Sequence, residues 1–158
     1  IKKRLEQFKT GKRRFEEFVF DKQIIISDYA HHPKEIISTI EAVSVKYPYK
    51  KIVIYFQPHT FTRTITFLED FAKALSLADK VYLREIFSSA REKENIISVN
   101  SLAQLIKNSS VINDESYIEE FKKINNSVII FMGAGDIDRY CEKYIDNLKN
   151  NNIFRQTS

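Results

Sequence analysis

Along the first third of the chain, the pattern of hydrophobic and polar residues changes from the two-residue period of strands to the 3.6-residue period of a helix. Residues 14–20 and 23–27 are rich in Phe, Val and Ile and flank a short Asp21-Lys22 turn, which predicts a β-hairpin. From Pro33 onward the apolar residues recur every three or four positions, which is typical of an amphipathic helix with proline in its first turn. The continuous apolar run at residues 51–56 then has the length of a buried parallel strand.

Strands and amphipathic helices continue to alternate as far as residue 148. Further strands are predicted at residues 80–83, 111–112 and 127–131, and further helices around residues 67–78, 102–106, 117–121 and 137–148. Ser98 or Asn100 is a candidate N-cap for the second of these helices. This alternation predicts an α/β domain: a mostly parallel sheet with helices on both faces and an antiparallel hairpin at its start. Residues 150–158 show no pattern, so we expect a frayed tail there.

Length and composition favour a single soluble domain. The chain has 158 residues, 43% of them hydrophobic, and its net charge of +4 comes from 25 Lys and Arg against 21 Asp and Glu. No run approaches the roughly 18 apolar residues that span a membrane, and the single cysteine, Cys141, cannot form an internal disulfide. We therefore expect a reduced, cytoplasmic domain with no membrane contact. Residues 1–14 are basic, but no known nucleic-acid-binding motif accompanies them, so no nucleic-acid partner is predicted.

The spacing of a few residues excludes two common kinds of ligand site. The three glycines, Gly11, Gly133 and Gly135, cannot form a Walker A loop or a dinucleotide-binding fingerprint. The three histidines and Cys141 lack the spacings typical of a metal site, so no metal ligand is predicted in this chain. Because the first residue is Ile1 rather than methionine, we expect the chain to be a piece of a longer protein.

Polar residues collect where the predicted strands end. Ligands of open α/β sheets bind outside the carboxyl ends of the strands, and all three histidines follow a predicted strand. The segments that follow the strands are Asp28-Tyr29-Ala30-His31-His32-Pro33, Gln57-Pro58-His59-Thr60-Phe61-Thr62-Arg63, Arg84-Glu85-Ile86-Phe87-Ser88-Ser89-Ala90-Arg91 and Met132-Gly133-Ala134-Gly135-Asp136. We expect His31, His59 and Arg63 to share one negatively charged ligand at this edge, because a cation at the positive end of a helix is unfavourable unless an anion lies near.

Each of these residues also has a structural interpretation. His32 fits the N-cap of the first helix, and His31 fits a hydrogen-bonded pair with the nearby aspartate. Arg63 fits a solvated residue at the start of a helix. The glycines of the Gly133–Gly135 segment fit a tight turn between a strand and a helix. The residues alone leave both interpretations open.

Four of the segments, taken in order, are recognisable. They are Asp28–Pro33, Phe56–Thr64, Ser89–Glu92 and Met132–Ile137. In this order they resemble the C-terminal domain of the Mur ligases, over a match that runs from about Lys9 to Leu148. The pattern D-Y-x-H-x-P is shared across these ligases. The doubled histidine together with F-Q-P-H-T-F-T-R-T is more specific, and it resembles the members that add L-alanine to UDP-N-acetylmuramate.

The resemblance implies a Rossmann-like, three-layer domain at residues 15–149, preceded by a basic lead-in at 1–14 from a missing upstream domain and followed by the tail at 150–158. It implies a three-domain ligase of peptidoglycan synthesis, in which the missing N-terminal domain holds UDP-N-acetylmuramate and the missing central domain holds most of the contacts to ATP and Mg²⁺. In such an enzyme ATP phosphorylates the sugar's carboxylate, and L-alanine attacks the acyl phosphate. The isolated chain is expected to be inactive.

The same resemblance implies roles for individual residues. Those that match the ATP-contacting segment are Asp28, Tyr29 and His31. His59 and Arg63 match the segment that faces the amino acid and the reacting phosphate, so they are the catalytic candidates, with Arg63 holding the alanine carboxylate. Arg91 is a second candidate anion contact. Thr60 departs from the pattern, since many relatives have another arginine at that position.

Two other functions remain open at this stage. One is a recycling ligase of the same family, which shares the doubled histidine and joins intact peptides to UDP-N-acetylmuramate. The other is a stand-alone Rossmann-like module that binds anions or nucleic acid, for which a salt-dependent affinity would be diagnostic.

Overall fold

The computed structural model describes residues 13–88 and 97–156. One sheet of six strands lies within these residues: β1 (Glu16–Val19), β2 (Gln23–Asp28), β3 (Lys51–Phe56), β4 (Lys80–Leu83), β5 (Ser109–Val111) and β6 (Ser127–Met132). The strands lie in the order β1-β2-β6-β3-β4-β5. The β1–β2 pair is antiparallel and the other four pairs are parallel. The predicted hairpin and the mostly parallel sheet are therefore confirmed.

Helices cover both faces of this sheet. Those in the described part of the chain are α1 (Pro33–Lys46), α2 (Phe61–Thr66), α3 (Leu68–Leu75), α4 (Val99–Ala103), α5 (Tyr117–Lys122) and α6 (Ile137–Gln156). α1, α3 and α4 contribute apolar side chains to the core on one face, and α5 and α6 contribute to the core on the other. The predicted three-layer α/β architecture is thus confirmed. None of the helices in this part of the chain has the length and apolar character needed to cross a bilayer.

The two faces of β3 explain why its sequence is apolar from Ile52 to Phe56. Ile54 and Phe56 join the core on one face of the sheet, while Val53 and Tyr55 join the core on the other. Successive side chains of a strand point to opposite faces, so a strand covered by helices on both sides has no polar face. The second core is largely aromatic, with the ring of Tyr55 stacked on that of Tyr117 at a centroid distance of 5.5 Å.

The helix predicted at residues 67–78 is interrupted. α2 ends at Thr66 and α3 begins at Leu68, with Phe67 between them at a φ of −113°. The hydroxyl of Thr66 donates to the carbonyl of Thr62 at 2.8 Å, a side-chain bond that competes with regular helix and often bends it. The break places the Phe67 ring against that of His32, with centroids 4.8 Å apart. The partly buried Phe67 ring thus packs next to the start of α1 at the point where the two short helices meet.

Other predicted boundaries also differ from those observed. α4 ends at Ala103, so Leu105 and Ile106 lie beyond it, and β5 covers Ser109–Val111 rather than 111–112. The last helix is longer than the predicted 137–148, because α6 continues through Gln156 and so into the segment 150–158 that was expected to fray. The sequence after Leu148 lacks a regular apolar period, but no glycine or proline is present after Gly135 to end the helix.

Candidate functional site

The loops that carry the predicted site residues start side by side. In the parallel part of the sheet, Asp28 lies opposite Met132, Met132 lies opposite Phe56, and Phe56 lies opposite Leu83. Each of these four residues is the last residue of its strand. The segments that follow them therefore leave the sheet at one edge, as the carboxyl ends of parallel strands must.

His31, His59 and Arg63 meet at this edge. The rings of His31 and His59 have centroids 6.4 Å apart. The Nη1 atom of Arg63 lies 3.4 Å from Nδ1 of His59. The guanidinium of Arg63 makes no ion pair with any acidic residue within the described ranges 13–88 and 97–156. The predicted juxtaposition is therefore present, and it combines two imidazoles with a cation that has no protein counter-charge in these ranges.

His31 is oriented by groups close to it in the chain. Its Nδ1 lies 3.0 Å from the carbonyl oxygen of Tyr29 and 3.4 Å from a carboxylate oxygen of Glu35. The Tyr29 ring meets it edge-on at 5.2 Å between centroids. A hydrogen bond from Nδ1 to the carbonyl leaves Nε2 as the ring's acceptor. The alternative partner from the sequence, Asp28, is bonded to backbone groups instead.

His32 has the structural role that its position suggested. It is the N-cap residue of α1, with Pro33 at the first helical position. The carboxylate of Glu35 accepts hydrogen bonds from the backbone N–H groups of His31 at 3.1 Å and His32 at 3.0 Å. These bonds satisfy donors at the helix start that would otherwise have no partner, and they fix the backbone that carries His31.

Asp28 is a buried carboxylate beside a cavity. Its two oxygens accept hydrogen bonds from the backbone N–H groups of Ala30 at 2.8 Å and Phe15 at 3.1 Å. Burial raises the pKa of this carboxyl above its ordinary value, although the two N–H donors oppose the shift. The adjacent cavity has a volume of about 230 Å³, and Arg14 and Lys34 are among its lining residues. Two acidic residues, Asp28 and Glu35, and the two cations thus line one small space.

His59 is held by a short extension of the sheet. The N–H of Thr60 donates to the carbonyl of Phe87 at 2.7 Å, and the N–H of Phe87 donates to the carbonyl of Pro58 at 2.8 Å. These bonds form a parallel bridge between His59 and Phe87. The two rings stack with centroids 5.5 Å apart and planes 12° apart. The imidazole is therefore supported on one side by an aromatic ring and approached on another by Arg63.

Arg84, which the sequence does not mark as a site residue, is the centre of a charged network at the same edge. Its guanidinium donates to Asp114 at 2.8 and 3.0 Å and to Asp136 at 2.9 Å. It also contacts the hydroxyl of Tyr140 and lies 3.8 Å from the centre of that ring. Hydrogen bonding from Arg84 lowers the pKa of Asp114. The only sequence signal was the place of Arg84 directly after β4, since its partners lie at least 30 residues away.

The glycine-rich segment after β6 is a tight turn. Gly133 has a φ of +149°, and a Cβ atom there would lie 2.8 Å from the carbonyl oxygen of Gln57. At Gly135 a Cβ would lie 2.5 Å from Oε1 of Gln57 and 2.7 Å from the Phe87 ring. Glycine is therefore required at both positions. The amide of Gln57, which donates to Asp136 at 2.9 Å, packs against this turn. The geometry therefore agrees with the interpretation of Gly133 and Gly135 as residues of a tight turn between a strand and a helix.

A second contact to the same turn comes from Arg13. Its guanidinium donates to the carbonyls of Gly133 at 3.3 Å and Gly135 at 2.7 Å, and its Nε lies 3.3 Å from the carboxylate of Asp138. It also lies 4.9 Å from the centre of the Tyr29 ring. Arg13 belongs to the basic segment predicted at 1–14, of which residues 1–12 lie outside the described ranges. The candidate Arg91 also lies outside them, within residues 89–96.

Within the described ranges, no three His, Cys, Asp or Glu side chains are grouped so that they could hold a metal ion. The carboxylate of Glu35, which lies 3.4 Å from Nδ1 of His31, already accepts two backbone hydrogen bonds, and so does that of Asp28. Mg²⁺ prefers several oxygen ligands in an octahedral arrangement. The described residues therefore do not form a Mg²⁺ site by themselves.

Comparison with known proteins decides the family. The family model for the Mur ligase, glutamate ligase domain, matches residues 13–136. The chain belongs to the Mur ligase family. It is similar to the UDP-N-acetylmuramate-alanine ligase MurC from Thermotoga maritima, with 31% identity, a TM-score of 0.68, and coverage of 94% of this chain and 33% of that one.

More distant Mur ligase structures share the fold. The murein peptide ligase from Psychrobacter arcticus has 21% identity and a TM-score of 0.60 over 86% of this chain and 30% of that one. The MurF ligase from Thermotoga maritima, solved in complex with ADP, has 20% identity and a TM-score of 0.62 over 90% of this chain and 33% of that one. The chain thus spans about a third of the length of these relatives.

Proposed function

We propose that this chain is the C-terminal, amino-acid-side domain of a cytoplasmic ATP-dependent ligase that joins L-alanine to UDP-N-acetylmuramate in peptidoglycan synthesis. The observation that carries the proposal is the meeting of His31, His59 and Arg63 at the carboxyl edge of the sheet. The family match and the 31% identity to a UDP-N-acetylmuramate-alanine ligase support the choice of reaction.

The proposed role of Arg63 follows from its lack of an acidic partner within the described ranges. A guanidinium binds a carboxylate through two parallel hydrogen bonds. An amino acid brings such a carboxylate, whereas its amine must remain free to attack. Binding through Arg63 would therefore orient L-alanine with its amine directed away from the guanidinium and towards the reacting carbonyl carbon.

In the proposed reaction, the carboxylate of UDP-N-acetylmuramate first takes the terminal phosphoryl group of ATP, which yields an acyl phosphate and ADP. The amine nitrogen then forms a bond to the acyl carbon, the bond from that carbon to the phosphate oxygen breaks, and phosphate leaves with the electron pair. The amine loses a proton as the amide forms. His59, which is held against Phe87 at 5.5 Å, would donate a hydrogen bond to the phosphate oxygens as their charge grows.

The other end of the proposed site would meet ATP. The Asp28 carboxylate is fixed by two backbone N–H groups, and its free lone pairs suit the hydroxyl groups of a ribose. The cations Arg14 and Lys34 suit phosphate oxygens. His31 would suit them in its protonated form, in which Nδ1 donates to the Tyr29 carbonyl and Nε2 is a second donor. We expect the missing central domain to supply most contacts to the triphosphate and to Mg²⁺, and the missing N-terminal domain to bind the UDP-sugar.

The test is an assay of the full-length protein with ATP, Mg²⁺ and UDP-N-acetylmuramate, in which ADP release is followed with either L-alanine or the tripeptide L-alanyl-γ-D-glutamyl-meso-diaminopimelate. We expect kcat/KM to favour L-alanine by at least about 100-fold, since a pocket built for a small amino acid excludes a peptide. A preference for the tripeptide would identify a recycling ligase instead. No turnover with either acceptor, together with salt-dependent binding of DNA or RNA by residues 1–158, would identify a binding module. Residues 1–158 alone are expected to show no ligation.

A further inference from the structure

The backbone of Thr60 adopts a conformation that is unusual for its residue type. Its φ is 66° and its ψ is 142°. This region is open to glycine but costs energy for a residue with a Cβ atom, and most of all for a β-branched one. Thr60 lies directly after His59 and three residues before Arg63 in the chain. The strained residue therefore lies between the two side chains that meet at the site.

Hydrogen bonds on every side of Thr60 keep it in this conformation. Its N–H donates to the carbonyl of Phe87 at 2.7 Å. Its carbonyl accepts from the hydroxyl of Thr64 at 2.7 Å. Its own hydroxyl accepts from the N–H of Arg63 at 3.3 Å, as the N-cap of α2. Strain of this kind persists only where the surroundings over-determine the backbone, and it is concentrated at functional sites.

The strained turn brings the chain from an extended segment into a helix within one residue. Before it, His59 continues the sheet by bridging to Phe87. After it, α2 begins at Phe61, which places Arg63 on the first turn and its Nη1 3.4 Å from Nδ1 of His59. A relaxed backbone at Thr60 would change the angle between these two segments, and with it the contact between the guanidinium and the imidazole.

We propose that Thr60 is a positioning residue, whose strained backbone fixes the orientation of His59 relative to Phe87 and Arg63. Its hydroxyl and its Cβ atom have opposite effects on stability. The hydroxyl caps α2, while the Cβ atom makes the observed φ costly. Glycine at this position would remove the strain but would also allow other backbone conformations, so the two side chains would lose their fixed relation.

The first measurement compares the thermal midpoints of residues 1–158 carrying Thr60→Gly or Thr60→Ala. Both variants lack the hydroxyl, and only the alanine keeps a Cβ atom. We expect Thr60→Gly to unfold at a Tm several degrees above that of Thr60→Ala. The matched control is Thr66, an exposed threonine in the same helix, where the usual order should hold and Thr66→Gly should unfold below Thr66→Ala. Equal midpoints for the Thr60 variants, or the usual order there, would contradict the strain.

The second measurement tests the positioning itself, through nuclear Overhauser effects between the ring protons of His59 and Phe87. These rings stack at 5.5 Å between centroids in the native chain. We expect Thr60→Gly to lose most of the ring-to-ring signal while the chain stays folded, and Thr60→Ser, which retains both the Cβ atom and the hydroxyl, to keep it. An undiminished signal in folded Thr60→Gly would overturn the proposal.

A third measurement rests on the proposed function. In the full-length ligase, Thr60→Gly should lower kcat/KM for L-alanine by about 2- to 10-fold, because the reacting groups are less well oriented, whereas Thr60→Ser should retain the native value. An unchanged kcat/KM in an active Thr60→Gly enzyme would contradict the positioning role. Absence of ligation by the native enzyme would count against the proposed function, while the midpoints and the ring signals of residues 1–158 would still decide the role of Thr60.

Discussion

Arg63 and Arg84 follow neighbouring strands at the same edge of the sheet, yet their surroundings are opposite. Arg84 is hydrogen-bonded to the carboxylates of Asp114 and Asp136 and lies over the ring of Tyr140. Arg63 makes no ion pair within residues 13–88 and 97–156, and its guanidinium lies 3.4 Å from a histidine nitrogen. Within these ranges, acidic side chains pair with the guanidinium of Arg84, and none pairs with that of Arg63.

The difference between the partners of Arg84 and Arg63 distinguishes a structural polar residue from a candidate ligand-binding one at the same edge of the sheet. The side chain of Arg84 connects the segment after β4 to the turn after β6 and to the loop before α5. Removal of that connection should affect folding. Arg63 connects nothing of opposite charge within the described ranges, so its removal should affect the ligand and leave folding almost unchanged. The predictions below test this separation, in order of decreasing effect.

The largest effect is expected for Arg84→Met. The variant keeps an apolar stem over Tyr140 but leaves Asp136 with the amide of Gln57 as its remaining side-chain partner among residues 13–88 and 97–156. Loss of several charge-assisted hydrogen bonds from a side chain that is only 13% exposed should lower the free energy of unfolding by about 2–4 kcal/mol. Urea denaturation of residues 1–158 measures this, and Arg84→Lys should recover part of the loss. A change below about 0.5 kcal/mol for Arg84→Met would contradict a structural role.

The next effect is expected for Arg63→Ala in the full-length ligase. Loss of a charge-assisted pair with the acceptor's carboxylate, worth on the order of 1.5–3 kcal/mol, should lower kcat/KM for L-alanine by about 10–100-fold. The control is Arg139→Ala, which removes an exposed arginine on α6. Steady-state kinetics with varied L-alanine provide the measurement. Unchanged alanine kinetics in Arg63→Ala, or an equal loss in the control, would end the assignment.

A smaller effect concerns pH. The pKa of Asp114 is lowered in the folded chain, chiefly by its hydrogen bond from Arg84, so its contribution is present above the unfolded pKa and is lost as the pH falls through the folded pKa. The carboxylate is half exposed, so solvent screening should limit this contribution to about 1 kcal/mol or less. The difference in unfolding free energy between the native chain and Asp114→Asn should therefore shrink below about pH 4. A difference that grows on acidification would contradict the pairing.

The smallest effect is expected for Arg63→Met on folding. Without an acidic partner in the described ranges, this side chain contributes little to stability, so the free energy of unfolding of residues 1–158 should change by less than about 0.5 kcal/mol. Urea denaturation beside Arg84→Met provides the direct contrast. A loss comparable to that of Arg84→Met would show that the two arginines are alike.

Most of the features that could be predicted depend on patterns among residues that are close together in the sequence. The apolar run at 51–56, the turn at Asp21-Lys22 and the proline at the start of α1 are local signals, and each element formed where the pattern indicated. The meeting of His31 with His59 also followed from a general rule about the edge of an open sheet. Local pattern and chain topology together therefore located the candidate site.

Features that depend on distant partners could not be predicted in this way. The Arg84 network joins residues separated by 30 to 56 positions, and nothing near Arg84 in the sequence indicates which acids will reach it. The break at Phe67 depends on a ring contact with His32. The backbone of Thr60 depends on Phe87. In each case tertiary contacts override the local preference.

The place of β6 in the sheet has a consequence for how the site is assembled. β6 is the last of the six described strands, yet it lies between β2 and β3, which end at the two histidine-bearing loops. Those loops become neighbours only once residues 127–132 have inserted between the earlier strands. During synthesis from the N-terminus, the histidines therefore remain apart until most of the chain has been made. Such late, non-local pairing is slow. The two histidine-bearing loops can therefore bind an anion together only after the whole sheet has formed.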